Sequence, residues 1–125
     1  MPVPSQVIKV PTHQKFIQDA VSLVEQNIAD ADFGVPALAD KMCISQQQLY
    51  RKMNSIAGIS VTKFISIVRL KRAEQLLLQD PENISEVAFQ VGFKDPGYFS
   101  KCFKQHFGVS PARYIEQKKN VQSPG

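Results

Sequence analysis

The stretch SQQQLYRKMN, residues 45–54, places Gln46, Gln47, Tyr50, Arg51 and Asn54 on one face of a helical repeat, with Leu49 and Met53 opposite. A glutamine amide offers a donor beside an acceptor, and a guanidinium offers paired donors. Those shapes match the adenine and guanine edges exposed in a DNA major groove. Fifty residues on, PGYFSKCFKQHF repeats the apolar pair as Phe99 and Phe103. Its other positions hold Tyr98, Ser100, Lys101 and Lys104. Pro96 and Gly97 have no side chain able to bond a base, so Lys101, in register with Arg51, is the base-reading candidate there. Polar residues on an exposed helix face need no function, so the surrounding elements must decide.

Those elements repeat. Residues 35–65 lie over 84–115 with one extra residue near Lys94 in the second copy. Leu38 pairs with Val87, Ala39 with Ala88, Met42 with Val91 and Ile44 with Phe93. Beyond the insertion, Leu49 pairs with Phe99, Met53 with Phe103, Gly58 with Gly108 and Ser60 with Ser110. The match is in the apolar skeleton, as in two copies of one supersecondary unit. In the first copy Pro36 sits in a first turn, the helix stops near Cys43–Ile44, and Ser45 with Gln48 forms a capping-box pattern. Gly58 is placed to end the second helix in the left-handed conformation. In the second copy Asn83 caps, Gly92 ends, Asp95 caps again with Pro96 after it, and Gly108 ends. A short helix, a turn and an exposed second helix make a helix-turn-helix unit.

Flanking segments are helical too. HQKFIQDAVSLVEQNI aligns Phe16, Ala20, Leu23, Val24 and Ile28. Ser60 caps VTKFISIVRLKRAEQLLLQ, with Val61, Phe64, Ile65, Val68, Ala73, Leu76 and Leu77 inward, and Pro81 follows its end. A last helix starts at Ser110–Pro111 and runs to about Lys119. The expectation is an all-α fold of about seven helices. Residues 1–12 form a flexible N-terminal linker. Residues 13–119 form the domain, with the first helix-turn-helix at about 35–58, a linker helix at about 60–79 and the second helix-turn-helix at about 84–108. Residues 120–125 are a disordered tail.

Composition narrows the function. The chain has 125 residues, 43% of them hydrophobic, and a net charge of +4. Residues 46–73 hold six basic residues (Arg51, Lys52, Lys63, Arg69, Lys71 and Arg72) and no acidic one. Residues 74–93 hold four acidic residues and no base, and residues 94–119 turn basic again, six against two. Two basic blocks separated by an acidic one suggest two surfaces for a polyanion, or merely solvated helix faces. No apolar run approaches a membrane span, and no secretory signal opens the chain, so membrane contact is not expected and a cytoplasmic location is. Cys43 and Cys102, within apolar-periodic segments, read as buried free thiols. His13 and His106 lack ligands at metal spacing, and no nucleophile elbow or phosphate-binding glycine loop occurs. No metal, cofactor or catalytic residue is expected.

The stretch RLKRAEQLL…ISEVAFQVGF…YFSKCFKQHFGVSP resembles the signature of the AraC/XylS family of bacterial transcription regulators. Arg69-Leu70, Ala73, Leu76-Leu77, Ile84, Ala88, Gly92-Phe93, Phe99, Phe103, Gly108 and Ser110-Pro111 fall at the family's spacing. The resemblance spans roughly residues 15–118. The leading KVPTHQKFIQDAVSLVEQNI is similar to the entry of C-terminal output domains in hybrid two-component regulators of Bacteroidetes-type gut bacteria. The family implies two helix-turn-helix units on a long helix, and binding of double-stranded DNA that controls transcription. Its base-reading positions fall on Gln47, Tyr50 and Arg51; Gln46 and Lys101 complete the expected set. Backbone contacts are expected from Lys52, Asn54, Tyr98, Ser100 and Lys104. They are also expected at the helix starts Ser60, Thr62, Ser110 and Arg113, where free N–H groups favour an anion. Each serine could equally be a cap alone. A sensor or dimerisation region outside this chain is the expected partner, with RNA polymerase a further candidate. The competing reading is a basic helical protein–protein interaction module.

Overall fold

The computed structural model describes residues 12–122. Among them are seven helices and no strand: α1 Thr12–Gln26, α2 Val35–Lys41, α3 Gln46–Ala57, α4 Val61–Gln79, α5 Ile84–Gln90, α6 Pro96–Phe107 and α7 Pro111–Gln122. The linker expected for residues 1–12 lies outside the described residues except for Thr12, which begins α1. The last helix continues past Lys119 to Gln122, and the remainder of the expected tail lies outside the described residues.

The two helix-turn-helix units are α2–α3 and α5–α6. Both inner turns close the same way. The Ile44 N–H donates to Ala39 O at 3.1 Å, and the Phe93 N–H to Ala88 O at 2.9 Å. Cys43 donates to Asp40 O and Gly92 to Phe89 O, each at 3.0 Å. This is the Schellman arrangement, which needs a left-handed residue just past the helix. Cys43 takes it at φ 60° and Gly92 at φ 91°. Cys43 is therefore an exposed turn residue, not the buried thiol its apolar neighbours suggested. Cys102 is half-buried.

Most caps follow the sequence. Ser45 and Gln48 form the reciprocal capping box, Ser60 Oγ accepts from Lys63 N, and the Asp95 carboxylate accepts from Gly97 N and Tyr98 N. Asn83 differs. It stands at the N-cap of α5 but makes no capping bond; its amide donates to the Asp80 carboxylate at 2.9 Å instead. At φ −122°, ψ 57° its backbone lies outside the usual extended capping geometry.

Helix α4 is the spine and packs on α1, α3, α5, α6 and α7. Its first half, with Val61, Phe64, Ile65 and Val68, joins Ala20, Val24, Phe33, Leu38, Ala39, Leu49 and Met53 in one core. Its second half, with Leu70, Ala73 and Leu77, joins Val87, Ala88, Val91, Phe93, Phe99, Phe103, Tyr114 and Ile115 in another. Burying one such large side chain stabilises by about 1.5–3 kcal/mol, so each unit has its own apolar anchor on the spine. Arg69 lies between the two sets and is 5% exposed. It does not belong to the basic surface, where a count of charges along the sequence places it.

Candidate nucleic-acid interface

Leu49 and Met53 are fully buried, which fixes the rotation of α3. Gln46, Gln47, Tyr50, Arg51 and Asn54 are consequently exposed, with Tyr50 at 48%. The third glutamine is already occupied. Gln48 Oε1 accepts from Ser45 N at 2.9 Å, and Gln48 N donates to Ser45 Oγ at 3.1 Å. The outward amides at the start of α3 are thus those of Gln46 and Gln47. Lys52 turns toward α1, with its ammonium 5.8 Å from the Phe16 ring centre, a cation–π distance. Arg51 and Lys52 border an open groove of about 440 Å³ that Thr12, His13, Phe16 and Ile56 also line.

In α6 the buried pair is Phe99 and Phe103, both 0% exposed. Phe99 packs edge-on against Phe93 at 5.2 Å, and Phe103 against Tyr114 at 5.5 Å. Lys101 and Lys104 are exposed on the other side, and Ser100 is half-buried. The Asp95 carboxylate sits on the first two free N–H groups of α6, at 3.1 and 3.3 Å. That end of α6 therefore already holds an anion. Tyr98 is 57% exposed, with its ring 6.2 Å from that of Phe93. Hydrogen bonding with the Cys102 side chain raises its phenol pKa.

The two copies of the repeated cap also match. Gly58 and Gly108 end α3 and α6 at φ 70° and 87°, each donating to the carbonyl four residues back. Ser60 Oγ accepts from Lys63 N at 3.0 Å and Ser110 Oγ from Arg113 N at 3.2 Å. Each serine is a cap in the structure, and its hydroxyl hydrogen remains to be donated outward. Thr62 and Arg113 are exposed beside them, while Ser110 is half-buried. A cleft of about 280 Å³ runs between the start of α4 and α6, lined by Ser60, Thr62, Lys63, Tyr98, Gln105 and His106 among others. Lys63, Gln105 and His106 were not among the contact residues read from the sequence. Only the folding of α6 back on α4 brings them to the space that Thr62 and Tyr98 share.

The last helix, α7, is tied to the spine. Tyr114 donates its hydroxyl to the Glu74 carboxylate. Burial, then that bond and the adjacent negative charge, push the phenol up to about 12. No helix among the described residues is long and apolar enough to cross a membrane.

Comparison with known proteins agrees with this architecture. A helix-turn-helix domain family model matches residues 38–117. A protein of Formosa agariphila named histidine kinase P4 is 37% identical over 111 residues, which are 89% of this chain and 8% of that protein. The chain likewise spans a minor part of the other curated relatives it matches. Among solved structures, a transcriptional regulator of Chromobacterium violaceum, described as of AraC-type DNA-binding domain-containing proteins, superposes with a TM-score of 0.77 at 30% identity, covering 90% of this chain and 96% of that one. The C-terminal domain of AraT, a response regulator from Geobacillus stearothermophilus, gives 0.75 at 27% identity, covering 86% and 88%. With the doubled turn geometry, the spine helix and the matched residues in agreement, the chain belongs to the AraC-type helix-turn-helix family.

Proposed function

We propose that this domain binds double-stranded DNA sequence-specifically and thereby controls transcription, each unit laying its second helix in a major groove of a bipartite site. One observation carries the reading: two copies of one unit sit on a single 19-residue helix, each with a buried apolar pair under an exposed polar face. Gln46, Gln47, Tyr50 and Arg51 read bases in one element, and Lys101 is the base contact in the other. Lys52, Asn54, Ser60, Thr62, Tyr98, Ser100, Lys104, Ser110 and Arg113 meet the sugar–phosphate backbone. The asymmetry of the two faces favours more sequence reading by α3 and more backbone affinity from α6. The domain acts in the cytoplasm as the output end of a larger signalling protein, whose sensor lies elsewhere. The likeness to a protein named histidine kinase and to a response regulator's C-terminal domain supports that role. RNA polymerase is a further partner of the DNA-bound state.

The test is selection of bound sequences from random duplex DNA by the purified domain. One enriched motif with two elements about ten base pairs apart is the expected result, with affinity falling steeply as salt rises. Retention without any sequence preference would instead identify a basic protein-interaction module.

A further inference from the structure

Arg69 stands where the two cores meet, and its guanidinium is shared between them. Nη1 donates to Ile28 O at 2.7 Å and to Val91 O at 2.8 Å. Nη2 donates to Asp30 O at 3.1 Å and to Phe33 O at 3.0 Å. Three of these acceptors lie on the segment joining α1 to α2, beside the first unit. The fourth is the C-cap of α5, inside the second unit. The other links across this junction are weaker in direction or strength. Ile28 packs against both cores, and apolar contact tolerates sliding. Lys94 and Asp32 pair at 2.9 Å, but their side chains are 70% and 83% exposed, and such pairs hold little.

A planar fork that meets four carbonyls leaves little freedom, because each bond weakens steeply once bent. The second unit is shaped to admit it. At Gly92 a Cβ would overlap both Arg69 Nη1 and the Ile28 carbonyl oxygen. We propose that Arg69 is a positioning residue that locks the angle between the two helix-turn-helix units, and so sets the spacing of DNA elements the domain accepts. This rests on the bipartite reading above and names the device that makes it selective.

The experiment compares the domain with its Arg69→Lys variant on the selected site and on versions whose elements are one or two base pairs closer or farther apart. Each base pair turns the second element by about 35° around the duplex. The unaltered domain should lose about tenfold or more in affinity at two base pairs from the optimum, as the second contact is forfeited. Lysine keeps the charge but cannot span four carbonyls. Its variant should bind the optimal site more weakly and flatten the spacing profile to about threefold, while affinity for either element alone is unchanged. A uniform loss with the profile intact would overturn the inference and leave the bipartite reading standing. No spacing preference in the unaltered domain would overturn the bipartite reading and the inference with it. If Arg69→Lys does not fold, nuclear magnetic resonance on the unaltered domain decides. A shared alignment tensor for α2–α3 and α5–α6, with slowly exchanging Arg69 guanidinium protons, supports the lock. Separate tensors or freely exchanging protons overturn it.

Discussion

Arg51 and Lys101 occupy equivalent places in α3 and α6, yet their neighbours differ. Arg51 follows two outward glutamines; Lys101 follows Pro96 and Gly97, with the Asp95 carboxylate on the helix start. Replacing Arg51 by alanine should cost about 1–3 kcal/mol on the preferred site and relax the preference at one base pair. Lys101→Ala, if the ammonium spends more of its contact on phosphate than on its base, should weaken all sequences nearly alike and reduce the salt slope by about one. Titrations on the selected site and on single-base variants check both, and a changed base preference for Lys101→Ala would refute the asymmetry. A second residue-scale prediction concerns Tyr114. Its phenol is neutral below its pKa, and the folded value of about 12 lies above the ordinary 10. The stabilisation is therefore full below pH 10 and fades as pH rises from 10 through 12. Tyr114→Phe should cost about 1.5–3 kcal/mol at neutral pH, and the gap to the unaltered protein should close over that window in denaturant titrations. Which residues face outward on α3 was legible because Leu49 and Met53 leave only one rotation. Arg69 was not legible as an interior residue. The buried positions at the middle of α4 run Val68, Arg69, Leu70 without a gap, so periodicity does not single out a cation that belongs inside.

At the scale of elements, the helices and most of their ends follow from local chemistry. Ser45, Ser60 and Asp95 cap because each short side chain reaches an orphan N–H without tertiary help. Asn83 does not cap: its backbone lies outside the extended capping geometry, and its side chain is turned to donate to Asp80. The inner turns were harder to read, since one copy uses glycine and the other cysteine for the same left-handed position. The copies should respond in opposite ways to substitution. Cys43 is exposed, and a non-glycine residue pays about 1–2 kcal/mol in that conformation. Cys43→Gly should be neutral or stabilising by up to about 1 kcal/mol, once the extra freedom of glycine in the unfolded chain is offset. Gly92→Ala should destabilise by about 2–5 kcal/mol, combining backbone strain with the overlap on Arg69 and Ile28. Thermal melts of the two variants check the contrast. Equal effects would mean that the crowding at Gly92 relaxes freely.

At the scale of the molecule, the spine decides how the two units can act. Helix α4 has 19 residues, about 28 Å at 1.5 Å per residue, and each half is buried in a different core. One turn of B-DNA advances about 34 Å, so a spacer of this length suits reading helices in successive major grooves of one duplex face. A single molecule can then read two unlike elements without a palindrome. A stiff spacer differs from a tether in what it forbids. Inserting five base pairs between the elements carries the second one to the far side of the duplex, and a rigid molecule cannot follow. Inserting ten restores the face but adds about 34 Å, more than the whole length of α4. Two domains on a flexible tether would regain affinity at ten; this domain should not. Affinity at both insertions should fall to that of the first element alone, and the protected footprint should shorten to one element. Insertions outside the site should change nothing. Gel-shift titration and nuclease footprinting on the three sites measure this directly. Recovery at ten base pairs would mean that the two cores part on the DNA. An unchanged affinity at five would mean that one unit alone meets DNA and the second copy serves another end.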